Sequence, residues 1–498
     1  MKLFGVIIAL GAIVAFCIMY GAQFFKGLFA WGMSFELVAI FIIVGLIALV
    51  AAMVLESVGA GVVTVIAALA IIGVGIVTPY NNARQYVAST NVVEEDVPSF
   101  DGRAPYRVAS LSARSNLQDA TGEAQATKSL AGEGDTGQWN TLVQKRGWFQ
   151  GYESAQSIET PLYGSVKSKD VQLCEFNPNA KLRFGGSVPS NNLSRAILGS
   201  TPLNVNFSKS DVYSYCDGDT PKVVTPLKKI SGFPFASWTA YGVAEYDGKT
   251  NQVTIYTDAD DIAEIPGPVY PATLAEDTRE GYKAVGGFLP YIQGQGSAGY
   301  EDTSDDAEDP NSGNNTEFSL RAEDGNDVFY VTPLTPRGNS VSITGLATVD
   351  NRTITSGERN PVTIYKLSGD EARKSNSSVA DGIKTTYSWL PDWASGLEIF
   401  EIVPGADGTW TASIGRNQSV AYRATVDSDG TAVLYDASGN ELTRTSGNDE
   451  GNDEGETTDT PAAPADSDLT TLTPAQLREL AGRVLDELEQ RAATAPTE

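Results

Sequence analysis

The sequence predicts a membrane-anchored chain: three N-terminal transmembrane helices, a mostly β or α+β soluble domain, a disordered acidic linker and a C-terminal amphipathic helix. Three observations carry this. Phe4–Phe25, Leu37–Leu55 and Val58–Val77 are apolar and free of charge, and each is about the 20 residues a helix needs to cross a hydrocarbon core. From Trp139 onward, short runs of Val, Ile, Tyr, Phe and Thr alternate with Gly, Pro, Asn and Asp turns, the pattern of strands. From Thr445 the chain turns to repeated Gly-Asn-Asp-Glu and then Thr, Pro and Ala, too poor in apolar surface to fold.

The anchor comes first, over residues 1–78. Unpaired backbone groups are not tolerated in lipid, so the three runs are read as helices. Lys26 to Glu36 reads as a short loop whose Phe29, Trp31 and Phe35 suit the headgroup level. The break at Glu56-Ser57 is tight enough to make an antiparallel hairpin of the second and third spans. Retention of the first span is favoured over a cleaved signal, because only Lys2 marks an n-region and two more spans follow at once. Ala60, Thr64 and Ala68 form a small-residue stripe suited to close helix packing. The spans offer no ionisable group for a transport path. Lys2 and Lys26 nearly balance across the first span, and the flank Glu94-Glu95-Asp96 lacks the basic cluster of a cytoplasmic side. The soluble part is therefore expected on the extracytoplasmic face.

Residues 79–138 read as a stalk, of which Tyr80–Val92 continues as a short helix or leaves the membrane irregularly. The β-rich domain then divides into 139–300 and 317–444 around an acidic, Gly/Asn-rich loop at 301–316. Its clearest hairpin joins Tyr241–Tyr246 to Gln252–Tyr256 through Asp247-Gly248. Further strands are expected at Val328–Val331, Ser340–Val349 and Pro361–Leu367. Two more hairpins join Leu397–Val403 to Thr409–Ser413 and Val420–Val426 to Thr431–Tyr435. Helical signals are few, at Asn192–Leu198 and Ser368–Ala380. The linker spans 445–472 and the last helix 473–493. That helix opens on Thr473-Pro474-Ala475-Gln476, an N-cap with proline at the first turn and a capping box. Leu477, Leu480, Val484, Leu485 and Leu488 line one face, a docking stripe for a protein partner, for a second copy, or for its own domain.

Charge and composition narrow the function. The net charge is −27, from 62 acids and 35 bases, which disfavours a nucleic-acid partner. Thr445–Glu498 holds 13 acids and 3 bases, so it alone supplies −10 of that total. There is no histidine, which removes Ser-His and Cys-His catalysis and histidine-ligated metal. No Gly-x-Ser-x-Gly, Ser-x-x-Lys or phosphate loop occurs. No cofactor is expected. Two acid-based chemistries stay open. One is a glycosidase pair, for which no residues stand out. The other is calcium at Asp258, Asp260 and Asp261, where solvated turns are the simpler reading. Cys17 fills the first span. Cys174 and Cys216, 42 residues apart between strand-like flanks, are either one disulfide or two buried thiols, and the flanks favour the bridge.

Four phrases are rich in aromatic residues and glycine: Trp139–Tyr152, Gly185–Ile197, Ile265–Pro271 and Tyr330–Gly338. In them the chain resembles uncharacterised membrane-anchored proteins of actinobacteria and their phages. That resemblance covers most of the soluble domain and implies neither an activity nor catalytic residues. The function expected is a non-enzymatic binding or scaffolding protein of the cell envelope. The alternatives are a carboxylate-dependent hydrolase of cell-wall glycan and an accessory subunit of a secretion, conjugation or phage-related membrane assembly.

Overall fold

The computed structural model describes residues 11, 21, 23–55, 58–117, 122–125, 127–130, 136–167, 170–294, 300–302, 318–323, 327–336, 342–367, 374–390, 393–405 and 409–443. Most of Phe4–Phe25, nearly all of the acidic loop 301–316, the linker and the C-terminal helix with Leu477, Leu480, Val484, Leu485 and Leu488 lie outside these residues.

Among the described residues two helices are long and apolar enough to cross a membrane: α1 (Glu36–Leu55) and α2 (Val58–Val87). They pack as an antiparallel pair. Less exposed positions recur at spacings of three and four: Val38, Phe41, Gly45, Ala48 and Ala52 on one, Ala60, Thr64, Ala67, Ile71, Val74 and Thr78 on the other. This is the 3.5-residue repeat of a left-handed helix pair. The expected stripe Ala60–Thr64–Ala68 is corrected by one residue, because the seam follows that repeat to Ala67 and leaves Ala68 exposed. The expected loop Lys26–Glu36 is also corrected. Residues 23–34 are helical, and only Phe35 breaks the run before α1. The turn keeps its backbone bonded (Phe35 N to Trp31 O 3.0 Å, Ala39 N to Phe35 O 2.8 Å).

α2 does not stop at the last apolar residue. It passes through Pro79 to Val87 and is followed by an edge strand, Thr90–Val93, that pairs in parallel with Val362–Lys366. Residues read as stalk thus hold two helical turns, a strand and α3 (Tyr106–Ser115). α3 carried little sequence signal because its buried side, Val108, Ala109, Ser112 and Ala113, is made of small residues. A fourth helix that the sequence reading passed over is α4 (Ala272–Gly281), begun by Pro271. The helix expected at Ser368–Ala380 is shifted. Its described part starts after the N-cap Ser375, whose side chain accepts from Ser378 N, and it runs over Asn376–Thr386. The strand expected from Ser340 begins at Gly345.

Among the described residues four largely antiparallel sheets make the body. At its centre the long hairpin Thr220–Ser231/Ser237–Asp247 is buried on both faces. Alternation decides which side chain goes where. Val224, Ala240 and Val243 face a core shared with Tyr330, Leu334, Ala347, Val362, Ile364 and α4. Val223, Leu227, Ala244 and Tyr246 face a second core with Leu142, Tyr152, Phe176, Leu193 and Ile197. The expected hairpin partner Gln252–Tyr256 pairs at its edge. Beyond Pro404 the sheet of Glu398–Pro404, Trp410–Arg416, Ser419–Val426 and Ala432–Tyr435 closes a third core against Asn376–Thr386. Cys174 and Cys216 are bonded, with Cα atoms 5.9 Å apart. They tie the edge strand Val171–Glu175 to Tyr213–Asp217 of the central sheet.

Candidate functional site

The residues that join the apolar hairpin to the body form the best-built polar and aromatic cluster. Tyr80 of α2 meets Phe288 and Tyr291 edge-on at 5.4 and 5.5 Å. Two turns later Tyr86 is buried in the main core. Its hydroxyl accepts the Trp238 N–H at 3.0 Å. The Arg359 guanidinium lies 4.6 Å from the Tyr86 ring centroid. It donates to Gln85 O (3.0 Å), Trp238 O (2.8 Å), Ser89 Oγ (3.3 Å) and Ser237 Oγ. A cation at the last helical carbonyls is favoured by the helix dipole, and here it also binds the helix end to the central hairpin. Gly281 ends α4 against the same spot. A Cβ there would come within 2.5 Å of Tyr86 Cβ, so only glycine permits this approach.

The helical segment before α1 is fastened to the same body. Lys26 Nζ donates to Thr201 O (2.9 Å), Thr201 Oγ1 (2.7 Å) and Pro202 O (2.7 Å), and Gln23 Nε2 lies 3.5 Å from Asn192 Oδ1. Asn82 Nδ2 donates to Ser34 O at 2.7 Å, closing the two helical segments on each other. Sequence reasoning missed both attachments, since Tyr86, Lys26 and Arg359 gain meaning from partners more than 120 residues away.

A second feature is a polar cavity of about 190 Å³ where the sheets converge, lined among others by Arg103, Tyr106, Lys128, Trp139, Asp211 and Tyr213. Arg103 is held between Trp139 and Phe318, 5.2 and 5.1 Å from the ring centroids, and is ion-paired with the buried Glu401. Asp211 accepts Thr273 N (3.0 Å) and Thr273 Oγ1 (2.6 Å). Burial raises its ionisation above the ordinary value, with those two bonds opposing. Among the described residues Asp211 is the only acid lining this space, whereas glycosidic cleavage by carboxylates takes two.

The sequence-derived candidates do not converge on either feature. Asp258 caps the short helix Ala259–Ala263 by accepting Asp260 N at 3.0 Å. Asp260 and Asp261 sit in that helix's first turn, and no group of three or more metal-binding side chains occurs among the described residues. The Cys174–Cys216 bridge reaches the second core only through Cys216, which packs against it. Comparison with models of known families, with curated proteins and with solved structures finds no match to this chain.

Proposed function

We propose that this chain is a multi-pass membrane protein, spanning at Phe4–Phe25, α1 and α2, whose β-rich body is a non-enzymatic scaffold at an extracytoplasmic membrane surface. One observation carries the reading: α2 runs unbroken from the apolar hairpin into the main core, where Tyr86 and Arg359 lock it. Such a joint holds the body at a fixed height and orientation over the bilayer, which is what an assembly platform needs and a free catalytic domain does not.

The hairpin's side-chain distribution supports a lipid environment. Its seam uses Gly45, Ala48 and Ala67, while Ile47 (66% exposed) and Val54 (73%) point outward. Small residues inside and large apolar ones outside is the arrangement of helices solvated by lipid. The disulfide fits an oxidising compartment. The absence of histidine and the single carboxylate at the polar cavity weigh toward binding over catalysis. The leucine-striped helix at 473–493, on its acidic linker, supplies a second contact with a protein partner or another copy.

The test is an affinity pull-down from native membranes with the full chain and with Leu472–Glu498 deleted, beside protease shaving of intact cells. Shaving should remove the body while leaving the hairpin protected. Deletion should abolish capture and leave the thermal transition of the body unchanged. Capture that survives removes the tail from the reading, and glycan hydrolysis by the purified chain removes the non-enzymatic assignment.

A further inference from the structure

Outside the hairpin and the helical segment before it, nine large apolar side chains are exposed among the described residues of the body. Six of them stand on three prominences, each abutting a different part of the helical bundle. The first is the loop carrying Phe233, which is 76% exposed. Two residues on, Phe235 shares a recess with Leu37 of α1 and with Gly73, Val74, Val77 and Thr78 of α2. Val74 precedes the first polar side chains past Pro79, Asn81 and Asn82, by about two turns. Phe235 therefore lies level with the charge-free part of the helix, two residues from the exposed Phe233. The second prominence is the short helix Phe288–Ile292. Phe288 and Tyr291 pack on Tyr80, and Leu289 and Ile292 are left exposed.

The third lies beside residues 23–34. Leu203 is exposed immediately after Pro202, whose carbonyl accepts from Lys26. Trp148 (76% exposed) and Phe149 (60%) cap a loop braced from beneath by buried side chains. Arg183 donates to Lys145 O (2.9 Å) and Gly147 O (2.7 Å), and Asn191 donates to Trp148 O (3.0 Å). The next residue, Asn192, is the one beside Gln23. Two buried polar residues thus fix the backbone of a loop that presents two bare aromatic rings.

We propose that these three prominences form a collar that seats the body in the bilayer surface, the aromatic and aliphatic rings entering the interfacial layer around the emerging helices. This rests on the spanning reading above and adds to it the face the body turns to lipid. Contiguous exposed apolar groups on a folded body signal a binding surface, and Trp and Phe beside membrane helices favour the headgroup boundary. The occupant follows from position. Anything covering all three prominences must share that face with the helices running through its middle, and lipid does so without displacing them. The acidic remainder of the surface is then kept away from anionic headgroups.

The experiment uses the full chain with Cys17→Ala and one added cysteine, Trp148→Cys, Phe233→Cys or Asp429→Cys, labelled with an environment-sensitive nitrobenzoxadiazole dye. Cys174 and Cys216 are bonded to each other and take no label. Each labelled chain is placed in nanodiscs of phosphatidylcholine and phosphatidylglycerol, with or without bromine on the acyl chains. The expected result is a blue shift at positions 148 and 233 and loss of emission in the brominated discs, with neither at the exposed turn residue 429. Water-like emission at 148 and 233, from chains that stay in the disc, overturns the collar and leaves the spanning reading intact. A blue shift without bromine quenching, seen only in discs holding two copies, also overturns it and assigns the face to self-association. Chains that fail to enter the discs count against the spanning reading, and the collar falls with it.

Discussion

The apolar hairpin and the central β-hairpin are built by opposite rules. In Thr220–Ser231/Ser237–Asp247 the bulky side chains Leu227, Ile230, Val243 and Tyr246 are buried, and the edges carry charge. In α1 and α2 most bulky side chains are outside, and the seam mixes Gly45, Ala48, Ala52, Ala60, Thr64, Ala67 and Thr78 with Val38, Phe41, Ile71 and Val74. The difference lies in the solvent each expects. Removing apolar area from water stabilises by roughly 25 cal/mol per Å², so a body in water hides its large residues. Lipid gives no such return, and close backbone approach through small residues is what remains. On the spanning reading one chain records two solvents, and α2 crosses from one rule to the other between Thr78 and Tyr86.

The strongest way to break this comparison is at the crossing point. Tyr86→Ala removes a buried ring, its bond to Trp238 N and the surface on which Arg359 rests. Truncating a buried aromatic side chain costs about 3–5 kcal/mol. Denaturant unfolding of the full chain in detergent micelles should show that loss, whereas Tyr86→Phe, which forfeits only the hydrogen bond, should lose about 1 kcal/mol. If Tyr86→Ala costs no more than Tyr86→Phe, the helix is merely tethered to the body and the fixed-platform idea is wrong.

How much of this was legible in the sequence follows the same division. The two apolar helices could be read because lipid demands an unbroken charge-free run, a one-dimensional signal. The hairpins at Asp247, Gly405 and Asp427 could be read because turn chemistry is local: Asp247 Oδ1 accepts Lys249 N and Thr250 N, both at 2.8 Å. α3 and α4 escaped notice because each is only 10 residues long and buries mostly small or polar side chains, such as Ala109, Ser112, Ala113, Ala275 and Thr278. The junction was illegible for a different reason. Arg359 is 273 residues from Tyr86, and no pattern along the chain announces a cation that will cap a distant helix. The collar was half visible: Trp148 and Phe149 stood out as an aromatic phrase, but their neighbourhood beside Gln23 needed the fold.

The seam of the hairpin gives a smaller and sharper test of the two rules. A Cβ on Gly45 would lie 3.3 Å from Ala67 Cβ, so Gly45→Leu forces the helices apart and should cost about 1–3 kcal/mol. Ile47→Ala, on the outward face, should change stability by less than about 0.5 kcal/mol. In the body the order reverses, and Leu227→Ala, from a fully buried site, should cost about 2–5 kcal/mol. Titration with sodium dodecyl sulfate in mixed micelles reads the first two, and denaturant reads the third. Equal penalties for Ile47→Ala and Leu227→Ala would mean that the hairpin's outer face is covered by protein.

The smallest expected effect concerns charge at the rim of the central sheet. Lys222 Nζ reaches Glu245 Oε1 at 3.0 Å and Asp247 Oδ2 at 2.9 Å, and Tyr215 donates to Glu245 Oε2 at 2.8 Å. Burial alone raises the Asp247 carboxyl. The amide N–H groups of Thr250 and Lys249 and the Lys222 ammonium outweigh it and hold the group at about 2, against an ordinary 3.8. A carboxylate whose folded value lies below its unfolded one stabilises above the unfolded value, and that contribution disappears as pH falls through the folded value. The body should therefore lose stability between about pH 4 and pH 2, by about 1 kcal/mol for a half-buried pair at the sheet rim. Asp247→Asn should flatten that part of the melting-temperature profile, and Lys222→Met should move it toward higher pH. An unchanged profile in both variants would place the acid sensitivity elsewhere and reduce the rim cluster to a turn that happens to carry charge.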